Sequence, residues 1–461
     1  MDNALARRKL DRRKSLMSAR SKSTRRYAAL DREIFALALP TFATLVTEPL
    51  LLIADSAFIG HLGTDQLAGL GIASNLIGIV IGLCIFLAYG TTSTVARRLG
   101  AGDRRAALSG GLDGLVLAVL IGALLVLVLQ LLLPTIVDAY RPAPAVGEAA
   151  LAYLRVAVCG LPWVLVLLAG TGVLRGLQDT TTPLKVAVAT NVANIALNWA
   201  LVYGVGLGIR GSAIGTLVAQ TGAALVIAVI VIRGARAAAV PLGFHPAGVL
   251  TAARTGVWLI ARTATLQVAI TLTTVTAAAG GTVMLAAHQV VNSIWILLAF
   301  ALDAIAIAGQ AIIGRLLGAG DVGLGRAMTT RMIGWGVVCG VAFGLVVAVG
   351  GQFVAAIFTP DPAVQSLVAR VLLVVAVITP IAGIVYVLDG VLIGAGDGRY
   401  LALAGLIALI AYVPLVLTVD RLDLGLVWLW VAYGGFMVAR MLTLVLRARG
   451  EAWIRTGSDL A

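Results

Sequence analysis

Twelve stretches of mostly apolar residues recur along this chain, at 34–58, 67–94, 108–133, 148–173, 184–204, 212–232, 256–279, 285–312, 327–350, 365–390, 400–418 and 425–446. A helix needs roughly 20 such residues to cross the hydrocarbon of a bilayer. The connections between them are short and rich in Gly, Pro and Asp, so none folds alone. Only 12% of the residues are charged and 60% are hydrophobic, whereas a soluble domain carries about 25% charged residues. So few polar groups do not cover a water-facing surface. Lipid is the solvent that suits this composition, and in lipid only helices and closed barrels satisfy their own backbone. The pattern predicts an all-α polytopic membrane protein.

Lys and Arg orient the spans. With the N-terminus placed in the cytosol, 27 of the 34 basic residues fall on the cytosolic side. They lie in the tail, at Arg97, Arg98, Arg104 and Arg105, and in the corresponding later loops. Five (Arg141, Arg155, Arg210, Arg370 and Arg421) fall on the other side, and Arg262 and Arg440 sit inside spans. This bias predicts an even span number with both termini cytosolic, in a cell (inner) membrane. Residues 1–33 read as a basic cytosolic tail that touches anionic lipid. Met17 is a second candidate start. No aromatics interleave the tail's charges, which argues against a nucleic-acid arm.

The chain repeats itself. RLGAGD at 98–103 returns as RLLGAGD at 315–321, and aligning Asp103 with Asp321 sets an offset of 218. The same offset pairs Leu67 with Leu285, Pro162 with Pro380, and GVLRGLQD at 172–179 with GVLIGAGD at 390–397. This divides the chain into an N-lobe at 34–232, a linker at 233–255, a C-lobe at 256–446 and a C-terminal tail at 447–461. Six spans per half bring both halves in from the same side, so a pseudo-two-fold runs along the membrane normal. Two such lobes facing one another suit a transporter.

The stretch from Glu48 to Gly63, EPLLLIADSAFIGHLG, resembles the first helix of multidrug and toxic-compound extrusion (MATE) transporters, in particular the branch named for DNA-damage-inducible protein F. Ala287-His-Gln-Val, Ala301-Leu-Asp303, Arg175-Gly-Leu-Gln-Asp-Thr and Asn194-Ile-Ala-Leu-Asn198 carry the resemblance through the rest of the chain. It implies twelve helices in two lobes around a V-shaped cleft. It also implies export of lipophilic or cationic organic compounds in exchange for protons or sodium ions. Related flippases share the architecture, which keeps lipid-linked substrates as an alternative.

Ionisable groups inside spans are functional candidates. Asp55 is the deepest carboxylate of the N-half, with Glu48 seven residues before it, on one face and roughly 10 Å away along the axis. Both are proton-coupling candidates, and the resemblance places the family's first-helix aspartate at Asp55. Pro40 and Pro49 interrupt the backbone bonds of the same helix. Asn191, Asn194 and Asn198 form a stripe on the fifth helix, either as a polar network beside that carboxylate or as interhelical glue. The resemblance expects a carboxylate where Asn198 stands. At the repeat offset Asp55 matches Thr273 and Glu48 matches Leu266, so coupling is expected in the N-half. The C-half offers Asp303, Gln267, Arg262, Asp389 and His288 as substrate or cation candidates. Asp303 either pairs with Arg262 or faces the cleft.

Other signals point away from chemistry. GLGIRG at 206–211 matches a dinucleotide pattern but has no strand before it. The three cysteines and three histidines lack metal-ligand spacing. Neither a cofactor, a catalytic constellation nor a nucleic-acid partner is expected. The expected partners are a small organic substrate and membrane lipid, with the chain acting as a monomer. Trp428, Trp430 and Tyr433 read as an interfacial aromatic belt.

Overall fold

The computed structural model describes residues 2–243 and 245–458, with side chains from Ala28 onward except at positions 352 and 354. The basic side chains assigned to lipid contact in the tail, apart from Arg32, lie outside the described residues. Among the described residues, twelve helices are long and apolar enough to span a membrane. In chain order they are α1 Ala28–Gly60, α2 Thr64–Gly100, α3 Arg104–Ala139, α4 Pro144–Gly176, α5 Thr181–Gly204 and α6 Gly208–Ala237. The second half follows with α7 Pro246–Ala279, α8 Thr282–Gly318, α9 Val322–Gly351, α10 Pro362–Gly394, α11 Gly398–Arg421 and α12 Gly425–Arg449.

Local chemistry sets the ends of these helices. Asp103 and Asp321 accept hydrogen bonds from the backbone N–H groups of Ala106 and Leu324, three residues on, at 2.7 and 2.9 Å. These are the side-chain caps expected of the two repeated loops. Pro144, Pro246 and Pro362 occupy first helical turns, where a missing N–H costs nothing. The GLGIRG segment is a turn that follows one π-helical turn, Trp199–Gly204, and runs into α6. Leu131, Val349 and Ile357 are 73, 77 and 81% exposed, which only a hydrocarbon surround tolerates in such number. The aromatic belt is corrected: Trp428 is exposed, but Trp430 and Tyr433 are buried and pack edge-on around Trp295 inside the C-lobe.

The pseudo-two-fold appears as reciprocal contacts. A Cβ on Gly100 of α2 would overlap the carbonyl of Arg315 on α8, and a Cβ on Gly318 would overlap the carbonyl of Arg97. Gly100 and Gly318 are one repeat apart, as are Arg97 and Arg315, so the two helices cross backbone to backbone on the axis. Small residues permit this close approach in lipid. The crossing lies at the end of the bundle that carries the arginine-rich loops, and other cross-lobe bonds gather in that half. Gln178 donates to the Ala311 carbonyl at 3.1 Å, and Gln310 donates to the Tyr89 carbonyl at 2.5 Å. Arg331 grips Asp31 through two 2.6 Å bonds, and Arg315 pairs with Glu33. Residues from Ala28 to Glu33 are therefore part of the packed α1.

The C-terminal segment completes this seal. Arg97 is fully buried and donates to the carbonyls of Ala395 at 2.7 Å, Arg455 at 2.6 Å and Gly457 at 3.3 Å. Gly457 N–H donates in turn to the Leu317 carbonyl at 3.2 Å. An N-lobe guanidinium thus ties down the chain that follows the C-lobe.

Gly318→Val forces this crossing apart, at about 1–3 kcal/mol for an overpacked contact. In a background without native cysteines, maleimide labelling of Ser93→Cys, a buried position, is expected to rise about tenfold. Gly325→Val, where nothing lies within 4 Å, leaves labelling unchanged.

Candidate functional site

Asp55 lies in the last third of α1 and is 3% exposed. Its Oδ1 accepts a hydrogen bond from Asn198 Nδ2 at 2.5 Å, and the same amide donates to Asn194 Oδ1 at 3.1 Å. Asn194 Nδ2 donates to Thr216 Oγ1 on α6 at 2.8 Å. Two residues of the stripe read from α5, Asn194 and Asn198, thus form a chain of amides that ends on the carboxylate. No salt bridge to Asp55 occurs among the described residues. Asn198 Oδ1 is buried and has no hydrogen-bond partner. It packs against Gly215, where a Cβ would overlap it. Asn198 closes the regular part of α5, and the wider π-turn begins at the next residue, a distortion common at functional sites.

Asp55 and Glu48 line one cavity of about 130 Å3, together with Tyr153, Thr216 and Gln220. Glu48 is on its exposed side. Threonines stitch the part of α1 that precedes Glu48: Thr41, Thr44 and Thr47 bond the carbonyls of Leu37, Pro40 and Thr44. Asn191 reaches across from α5 to the Thr47 carbonyl at 2.7 Å. Pro49 therefore sits between two anchors to α5, at Thr47 and at Asp55. Tyr153 escapes a reading of the sequence because it is a single polar residue on α4, whereas Ser212, Thr216 and Gln220, four residues apart on α6, form a polar stripe that the helix period could have found.

The C-lobe is wired differently. Asp389 on α10 is 3% exposed and its Oδ2 accepts from Arg262 at 2.7 Å and from Arg440 at 2.5 Å. The expected Arg262–Asp303 pair is corrected, because α7 and α12 bring two guanidiniums to Asp389 instead. Asp303 is half-buried on α8 and accepts from Tyr89 of the N-lobe at 3.4 Å. Asp389 was a candidate for cation binding, but its charge is already met by protein. Arg440 was visible in the sequence only as a charge inside a span. His288 is 1% exposed, 3.1 Å from Thr274 Oγ1 and stacked near Trp430. The space beside it is about 10 Å3, too small for a ligand. Gln267 is exposed and stands apart from these groups. Thr273, the repeat partner of Asp55, meets Tyr412 at 2.6 Å, so the C-half makes the same helix contact through two hydroxyls.

Breaking a buried ion pair from one side costs about 3–5 kcal/mol. Asp389→Leu strands the Arg262 and Arg440 guanidiniums without a counter-ion and is therefore expected to lower the unfolding temperature of the detergent-solubilised protein strongly, whereas Asp55→Asn leaves it unchanged. Gly215→Ala pushes Asn198 off Asp55 and is expected to abolish transport while the protein remains folded and monodisperse.

Residues 40–200 and 259–418 each match the MatE family profile. Protein DETOXIFICATION 44, chloroplastic, of Arabidopsis thaliana is 29% identical over 89% of this chain and 80% of its own length. DNA damage-inducible protein F of Escherichia coli (strain K12) is 28% identical over 90% of this chain and 91% of its own. A crystal structure of a Vibrio cholerae MATE transporter superposes with a TM-score of 0.85 at 21% identity, covering 93% of this chain and 99% of that one.

Proposed function

The chain belongs to the multidrug and toxic-compound extrusion family of efflux transporters, which are not enzymes, and from that membership we propose that it is a proton-coupled antiporter whose Asp55 carboxyl carries the proton. The observation behind this reading is the partner that Asp55 keeps. A buried carboxylate held by arginine stays ionised, as Asp389 is built to do. Asp55 is held by an amide, which has both a donor and an acceptor. The ionised form accepts from Asn198 Nδ2. The protonated form donates its O–H to the unpartnered Asn198 Oδ1 once the amide turns over. Either protonation state thus has a partner in the same cavity.

Glu48, exposed on the same cavity, relays protons between Asp55 and water. Protonation of Asp55 removes the charge that strengthens its bond to α5. The segment of α1 beyond Pro49 is then freer to move. The exported compounds are small, lipophilic and often cationic, in keeping with two carboxylates among apolar walls. Arg262 and Arg440 share Asp389 inside the C-lobe, and neither lines the Asp55 cavity, which offers no cation for the phosphate of a lipid-linked substrate. The bias of the basic residues supports a cell membrane location with both termini cytosolic. Both lobes lie in one chain, so a monomer suffices.

Purified protein in vesicles loaded with a pH-sensitive dye tests the coupling. Ethidium added against a pH gradient is expected to change the luminal pH. Asp55→Asn should abolish that change, Glu48→Gln should slow it, and replacing sodium with choline at fixed pH should leave it intact. Proton-linked transport that persists in Asp55→Asn overturns the assignment of the proton to this carboxyl. A requirement for sodium at fixed pH overturns proton coupling.

A further inference from the structure

A larger cavity, of about 360 Å3, lies in the arginine-rich half of the bundle, well away from Asp55 in the sequence and sharing no lining residue with its cavity. Its walls come from α2, α3, the first turns of α7 and Ser458 of the tail, so it spans the junction of the lobes. The repeat explains why it is there. In the other half, α1 fills the corresponding space with Leu30 and Ile34, which are 5% and 0% exposed. One repeat later stand Gly248 and Ala252. Small residues replace large ones on one side of the pseudo-two-fold, and a void of ligand size remains.

The charges around this void also differ between halves. Arg331 of α9 has Asp31 of α1 as a bidentate partner, with Trp335 donating to the same carboxylate at 2.7 Å. The repeat counterpart of Arg331 is Asp113, and the counterpart of Asp31 is Val249. Asp113 is thus a carboxylate that has an apolar valine, not an arginine, at the position from which its counterpart is held. It is 8% exposed and lines the cavity. A Cβ on Gly248 would overlap it, so α7 is shaped to make room for it. The imidazole of His245 stands 3.7 Å away with a 43% exposed side chain. Arg98, on the same wall, donates Nη1 to the Ala106 carbonyl at 3.0 Å. Thr91 donates its hydroxyl to the carbonyls of Leu87 and Ala169. Thr94 and Thr255 also line the cavity, and Phe86 offers an aromatic ring.

The geometry points to a second cation site at the lobe junction, in which Asp113 takes an amidinium or guanidinium group of a small organic molecule. A planar cation of this kind forms two parallel bonds to a carboxylate, as Arg331 does to Asp31 in the other half. An aryl or alkyl body then lies against Phe86 and the leucines beyond it. The site is independent of the proton assigned to Asp55. Occupation bridges α3 and α7 and so holds the lobes together at this end.

Calorimetric titration of benzamidine into the full-length protein in detergent micelles tests the site. One saturable event is expected, and it should survive Asp55→Asn unchanged. Asp113→Asn is expected to weaken it at least about tenfold through loss of the charge-assisted pair. Ala252→Ile, which restores the bulk found in the other half and leaves the carboxylate in place, should weaken it as much. Absence of saturable binding, or binding that Asp55→Asn removes while Asp113→Asn and Ala252→Ile preserve it, overturns the proposal.

Discussion

Hydrocarbon does not solvate a charge, and this protein meets that constraint in different ways at its buried carboxylates. Asp389 is flanked by Arg262 and Arg440, a cluster in which every partner is ionic. Its geometry comes from three helices of one lobe and braces them. Asp55 has an amide from one neighbouring helix and nothing more permanent. The first arrangement fixes a charge, and the second leaves a carboxyl whose protonation is free to change. The proton coupling proposed for Asp55 needs one group of the second kind held in a frame made rigid by groups of the first.

That frame is a duplicated one with different chemistry in each copy. Asp55 of the N-half stands where Thr273 stands in the C-half; Asp55 meets Asn198 while Thr273 meets Tyr412, the repeat counterpart of Asn194, and both pairs join the first and fifth helices of their lobe. Asp113 and Arg331 invert their charge across the same axis. Leu30 and Ile34 give way to Gly248 and Ala252. The backbone repeat sets where side chains meet, while substitution at equivalent positions decides whether they make a carboxyl–amide site, a brace or a void.

The lobes touch most intimately where Gly100 and Gly318 let α2 and α8 cross, and Arg97 adds the C-terminal segment to the same point. Backbone carbonyls and a buried guanidinium make this end of the molecule a locked state. Reopening it means breaking several bonds together, which gives an exchange of conformations a discrete rather than gradual character.

Much of this was written in the chain. Span number follows from apolar run length, because a helix must match the bilayer. The repeat follows from a constant offset, and Asp55 follows from being a carboxyl where none is solvated. The three asparagines shared a face because the helix period requires it. Pairing across helices was not legible. Arg262 was read as a partner for Asp303 until the placing of α10 and α12 brought it to Asp389 with Arg440. Trp430 and Tyr433 resembled a belt until α12 proved to turn them inward. The void beside Asp113 is visible only as a gap between helices more than a hundred residues apart. Sequence fixes the period and polarity of each helix; the rotation of one helix against another is set by packing among all of them, and that alone decides which polar groups meet.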